Sequence, residues 1–158
     1  KGLIDKGYKK TTLTMVGPAK DSSFDECKAY IKHFSLENHV SILGLKTKDE
    51  WIKLSKDQDV FINTTNVDNT PVSVIEAMAL GMVVISTNVG GMPNIINGKN
   101  GFLVNLNSKS LTDQLKNILS STSTEINTMK LYCFNSNLFS HTNYIKNTRE
   151  FLKNLKIK

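Results

Sequence analysis

The sequence predicts an α/β fold, a parallel sheet of about five strands covered by helices on both faces. Three observations carry this. Short apolar runs rich in β-branched residues recur at 13–16, 40–43, 60–62, 83–86 and 102–104, as buried parallel strands require. Helical stripes stand between them, clearest at Phe24, Cys27, Ile31 and Phe34 in an i, i+3, i+7, i+10 pattern. Glycine, proline or asparagine marks the boundaries, at Gly17-Pro18, Gly44, Gly81, Gly90-Gly91 and Asn100-Gly101. Strand and helix in this alternation describe a three-layer, Rossmann-like α/β/α arrangement.

Taken in order, Leu3 to Tyr8 reads as the end of a helix closed by Gly7. Leu13 to Val16 is the first strand. Asp21 or Ser22 opens the next helix, and Val40 to Leu43 is the second strand. Thr47 caps a short helix holding Trp51, Ile52 and Leu54. Val60 to Ile62 is the third strand, Val83 to Ser86 the fourth and Phe102 to Val104 the fifth, with a helical turn near Pro93 to Ile96. From Ser108, taken as a cap, the chain reads as a helical tail to residue 158, with helices over 108–119, 124–135 and 143–155. The whole is expected to be one domain. It starts at Lys1, without a Met, and reads as the C-terminal part of a longer protein.

Asp68 to Gly91 is the informative stretch. Thr70 suits a helix N-cap and Pro71 the first helical position, where a missing N–H is harmless. The helix through Val74, Ile75, Ala77 and Met78 is apolar nearly all round, which predicts burial. Glu76 is the exception, and a buried carboxylate needs partners. It lies about 7.5 Å along the axis from Pro71. Donors at Val72 and Ser73 would attract phosphate at the helix mouth, and a carboxylate at that distance suits sugar hydroxyls. The plain alternative is that Glu76 pairs with a neighbouring segment and binds nothing. In parallel sheets ligands lie at the carboxyl ends of the strands. The loops there hold Gly17 and Pro18, then Leu45 within 44–46, then Asn69 and its neighbours within 63–70, and finally residues 87–91.

The residues Asp68, seven positions, Glu76, Ala77-Met78-Ala79, Gly81, Val83 to Ile85 and Gly90-Gly91 closely resemble the nucleotide-sugar motif of the GT-B glycosyltransferases of family 4, or group 1. The likeness runs from about Leu13 to Leu119 and more weakly to Phe139-Ser140. It implies the C-terminal, donor-binding half of a GT-B fold. The implied enzyme transfers a sugar from a nucleotide-diphosphate sugar, with retention and without a metal, to an acceptor glycan or glycolipid bound by an N-terminal half. In it Glu76 would hold the ribose and Asp68 would orient the donor sugar. Backbone near Gly17 and at Thr70, Pro71, Val72 and Ser73 would hold phosphate. Two positions depart from the pattern. Asp68 stands where Glu is commonest, and Asn94 follows Pro93 where the family often has Glu. The family's first donor-domain strand has no counterpart here. It would lie between the first and third strands, so those either close up or leave a slot, and a dimer of the fragment, a swapped element or poor stability is expected.

The chain has 158 residues, 39% apolar and 22% charged, enough for one folded core. No apolar run nears 18 residues. A net charge of +6 admits anionic partners, but few aromatics and no recognisable module argue against nucleic acid. Cys27 and Cys133 lack metal-ligand spacing and read as thiols of a reducing cytoplasm. Asp57-Gln58-Asp59 spells a D-x-D, yet it precedes a strand at the end away from the ligand, so no metal or other cofactor is expected. Asn63-Thr64-Thr65 matches a glycosylation acceptor by chance, and His39 belongs to the turn before the second strand. Lys146, Arg149, Lys153 and Lys156 share one helical face; this is a solvated face or a peripheral contact with the inner face of the membrane. Two rival readings stand beside the glycosyltransferase: a non-catalytic nucleotide- or sugar-binding module on the same fold, and a flavodoxin-like regulatory domain.

Overall fold

A computed structural model describes residues 1–69 and 71–135. The expected helix over 143–155, the Phe139-Ser140 pair and Thr70 lie outside them. The described residues form α1 (Gly2–Asp5), β1 (Leu13–Met15), α2 (Ser23–His33), β2 (Val40–Ile42), α3 (Lys48–Ser55), β3 (Val60–Asn63), α4 (Val72–Ala79), β4 (Val83–Thr87), α5 (Met92–Ile95), β5 (Gly101–Val104), α6 (Ser108–Ser120) and α7 (Ser123–Asn135), with strand and helix alternating as predicted as far as α6. The chain divides into two compact units, Lys1–Leu54 and Ser55–Lys158.

In the first unit β1 and β2 pair in parallel, with Leu13, Thr14 and Met15 opposite Val40, Ser41 and Ile42. The crossover helix α2 begins where Asp21 accepts hydrogen bonds from the Ser23 amide, at 3.0 Å, and hydroxyl. Its stripe Phe24, Cys27, Ile31 and Phe34 is half-buried while the positions between are exposed. The helix ends at Phe34, and Ser35 follows with φ 51. His39 Nδ1 meets the Thr11 carbonyl at 3.1 Å, in the turn expected for it. Helix α3 opens with a reciprocal box. Glu50 Oε2 accepts from the Thr47 amide at 2.8 Å, and the Glu50 amide donates to the Thr47 hydroxyl at 3.3 Å.

The second unit is built on β4. Val83 to Thr87 are all buried, because β3 and β5 flank the strand and helices cover it. Val60 to Asn63 pair with Val83 to Ser86, and Val84 to Thr87 pair with Gly101 to Val104, all in parallel. Alternate side chains of β4 face opposite ways. Val83 and Ile85 pack with Val104, with Leu111, Leu115 and Ile118 of α6 and with Ile126 and Met129 of α7. On the other face Asn63 Nδ2 lies 3.0 Å from Ser86 Oγ and 3.9 Å from the sulfur of Met92. Lys130 of α7 reaches back to Asp59 at 2.6 Å.

The strands pair in two ladders, and two helix caps differ from expectation. One ladder is two-stranded, β1-β2, and the other three-stranded, β3-β4-β5. Apolar runs specify a strand and its burial, but the partner is set by non-local hydrogen bonds. The cap of α6 is Asn107, whose side chain accepts from the Ser110 amide at 2.7 Å, in place of Ser108. The cap of α4 moves as well, as follows.

Candidate functional site

Strand β3 ends at Asn63 and the chain crosses to α4 through residues 64–71. The helix starts at Val72. Pro71, with ψ 116, stands at the N-cap position, so it is not the first helical residue. The reason is local. Extended ψ at Pro71 keeps it out of the helix while its carbonyl accepts the first helical bonds, from Val74 at 3.1 Å and Ile75 at 3.4 Å. The amides of Val72 and Ser73 are therefore the first two of the helix, ahead of any intrahelical acceptor.

The helix is not buried all round. Val74, Ala77 and Met78 face the core, while Val72 is 65% exposed and Ser73 and Ala79 are exposed too. Glu76 is half-buried on the flank between these faces, and Asp68, half-buried, sits in the loop before the helix. The expectation of a deeply buried Glu76 is thus corrected: an i, i+3, i+4 core stripe leaves position 76 of this helix at its border. Asn69 is exposed and Pro71 buried. The second unit brings Asp68, Asn69, Pro71, Val72, Ser73 and Glu76 into one loop-helix segment at the carboxyl end of its sheet.

This loop is gripped from β4 and the turn after it. Thr87 Oγ1 donates to the Thr65 carbonyl at 2.6 Å, and the Gly91 amide to the Asp68 carbonyl at 3.2 Å. The turn fits only because it lacks side chains. A Cβ on Gly90, which has φ +54, would lie 2.0 Å from the Asp68 carbonyl oxygen, and one on Gly91 would lie 1.9 Å from that of Asn69. Thr65 Oγ1 adds a bond to the Val67 carbonyl at 3.2 Å. Sequence reasoning placed Thr87 in the loop after the fourth strand, among the candidate residues at the ligand end of the sheet. The structure puts it inside β4, 1% exposed. The available signal was a pair of hydroxyl residues, Ser86-Thr87, ending an otherwise apolar strand.

In the first unit the Gly17 amide donates to the Gly44 carbonyl at 2.9 Å, which laces the loops after β1 and β2 together. Gly17, Pro18 and Leu45 lie in these loops, Leu45 74% exposed. They belong to a different unit from the Asp68–Glu76 segment. A pocket of about 200 Å³ in the second unit is lined by Thr64, Thr87, Val104, Leu106, Leu111 and neighbours. It is smaller than sites for drug-sized ligands, about 300–1,000 Å³, and excludes both carboxylates from its lining. It is a gap beside the loop rather than a seat for a nucleotide.

The D-x-D is engaged in structure through the Asp59 pair with Lys130. Among the described residues no group of three or more His, Cys, Asp or Glu is placed to hold a metal. Cys133, 2% exposed, donates its thiol to the Asn100 carbonyl at 3.1 Å, and burial pushes its pKa up to about 11. Among the described residues no helix is long and apolar enough to cross a membrane.

Comparison with known proteins completes the picture. The family model described as glycosyl transferases group 1 matches residues 2–131. The capsular polysaccharide biosynthesis glycosyltransferase CapM of Staphylococcus aureus is 26% identical over 119 residues, which cover 74% of this chain and 30% of that protein. The chain spans only 21% to 30% of the length of the curated relatives it matches. Among solved structures, Anabaena HepE in complex with UDP superposes with a TM-score of 0.75 at 24% identity, covering 98% of this chain and 44% of that one. The C-terminal domain of a glycosyl transferase group 1 family protein, LpcC, from Francisella tularensis gives 0.73 at 23% identity, covering 84% and 72%. At these identities the structural likenesses show the fold, and it is the fold class expected.

Proposed function

The chain belongs to the group 1 glycosyl transferases, and from that premise we propose that it is the donor-binding, C-terminal half of a family 4 enzyme. The whole enzyme moves a sugar from a nucleotide-diphosphate sugar to a glycan or glycolipid acceptor, with retention and without a metal. The observation that carries the reading is the Asp68–Glu76 segment. It presents two half-buried carboxylates around a helix start whose first amides, at Val72 and Ser73, precede any intrahelical acceptor. The helix dipole and those amides favour a diphosphate. Glu76, about 7.5 Å further along the axis, accepts from the ribose hydroxyls, and Asp68 orients the donor sugar. Asn69 and the backbone at Thr70 and Pro71 flank the phosphates.

The diphosphate leaves with its negative charge, so the main task of this half is to stabilise that charge by preorganised donors. HepE, with this fold, was solved with UDP and with UDP-glucose, and a uridine nucleotide is the natural first probe here. The polysaccharide role of CapM supports a surface-glycan acceptor. The work is placed in the cytoplasm, where Cys27 and Cys133 stay as thiols.

The test is Glu76→Ala. Loss of hydrogen bonds to a charged acceptor costs about 1.5–3 kcal/mol, so UDP affinity drops roughly ten- to a hundredfold while pyrophosphate affinity holds. Calorimetric titration with both ligands checks it; equal losses would put Glu76 on the phosphates and end the ribose assignment. A second expectation concerns turnover. The 158-residue chain binds donor without transferring sugar, because the acceptor is not positioned. Transfer above a no-enzyme control would contradict this.

A further inference from the structure

The loop that carries Asp68 does not stand on its own. Over residues 64–69 it has no regular structure, and its backbone is held by β4 and the turn that follows. The three grips are independent in chemistry. One is the Thr87 hydroxyl on the Thr65 carbonyl at 2.6 Å. Another is the Gly91 amide on the Asp68 carbonyl at 3.2 Å. The last is contact so close at Gly90 and Gly91 that no Cβ fits against the Asp68 and Asn69 carbonyls. Thr87 itself is 1% exposed, at the end of β4, where it is paired with Val104 of β5. Its hydroxyl donor is therefore aimed from a buried strand end at the loop.

We propose that Thr87 is a positioning residue: with Gly90-Gly91 it sets the height of the Thr64–Asn69 loop over β4, and so holds Asp68 at the mouth of α4 in the geometry that takes a nucleoside diphosphate. This rests on the donor-site reading of that segment. It adds that affinity there is fixed in part from β4, by a residue that never touches the ligand. A buried hydroxyl with a single short bond to a loop carbonyl has little other use in an apolar strand, where valine would pack as well.

The experiment uses Thr87→Val, which keeps the shape and removes the donor, and Thr87→Ser, which keeps the donor and opens a methyl-sized void. For the full chain and both variants, hydrogen exchange of the 64–69 amides is measured beside UDP and pyrophosphate titrations and melting temperatures. Thr87→Val is expected to speed exchange in the loop and weaken UDP roughly tenfold, the scale of one lost hydrogen bond. Thr87→Ser restores both even where its melting temperature falls. A merely structural residue would give the reverse order: the void-forming serine worse in stability, and both variants binding UDP alike. Unchanged loop exchange in Thr87→Val, or faster exchange with UDP affinity intact, overturns the proposal. Gly91→Ala provides a second route should Thr87→Val not fold. Its Cβ must push the Asn69 carbonyl away, and UDP affinity unaltered by it would also overturn the proposal. If the parent chain binds neither UDP nor pyrophosphate, the donor-site reading itself fails. The exchange data still decide whether Thr87 sets the loop.

Discussion

The two units of this chain use the same parts and reach different ends. Both contain parallel strands joined by crossover helices. Yet every apolar residue of the buried core lies in the second unit, and Lys1–Leu54 contributes none. Leu13 on β1 is 42% exposed, whereas Val83, Val84 and Ile85 on β4 are each 0%. The difference is one of strand count. A middle strand with partners on both edges and helices on both faces is dry; a two-stranded pair has no middle. The first unit is therefore held more by local hydrogen bonds, such as the Asp21 and Thr47–Glu50 helix starts.

The largest expected effect tests that contrast head-on. Ile85→Ala opens a cavity in the dry core and should cost about 2–5 kcal/mol. Ile42→Ala, on half-buried β2, should cost well under half of that in the same urea titration. Similar losses at both positions would erase the distinction between the units.

The next effect is confined to the second unit. Burial raises the Cys133 thiol from 9.0 to about 11, so the folded state holds its proton where the unfolded chain releases it. Its contribution is complete below pH 9 and is lost as pH rises toward 11, on the order of 2 kcal/mol. Melting curves of the parent and Cys133→Ala between pH 8 and 11 should converge with rising pH. Parallel curves would mean that the thiol is not buried in solution.

The smallest effect belongs to the first unit. Thr47→Ala removes the α3 cap and should cost about 1 kcal/mol. Glu50 is held below its usual 4.5 by hydrogen bonds from the Thr47 amide and hydroxyl and then from Lys46. Its support is present above pH 4.5 and fades as the solution is acidified past its lowered pKa. Hydrogen exchange at residues 48–51 reads the loss locally. No change there would mean that something other than the cap supports the start of α3.

The sequence by itself determined the strands, the helices between them and the family of the Asp68–Gly91 stretch, because these follow from local periodicity and turn residues. Val83 to Ile85 could hardly be anything but a buried strand, and Glu76 in an apolar helix invited a functional reading before any coordinates. Only the tertiary structure decided which strands pair, because a ladder depends on residues distant in the chain. It also placed Glu76 at the border of the core rather than inside it, since the path of the chain into α4 decides which stripe turns inward. Pro71 became the cap of α4 for a related reason: its φ is preset by its ring, but its ψ is left to its surroundings. And the hydrogen bond of Thr87 came into view only there, because its hydroxyl meets a carbonyl 22 residues away in the chain, a distance at which composition and periodicity carry no information.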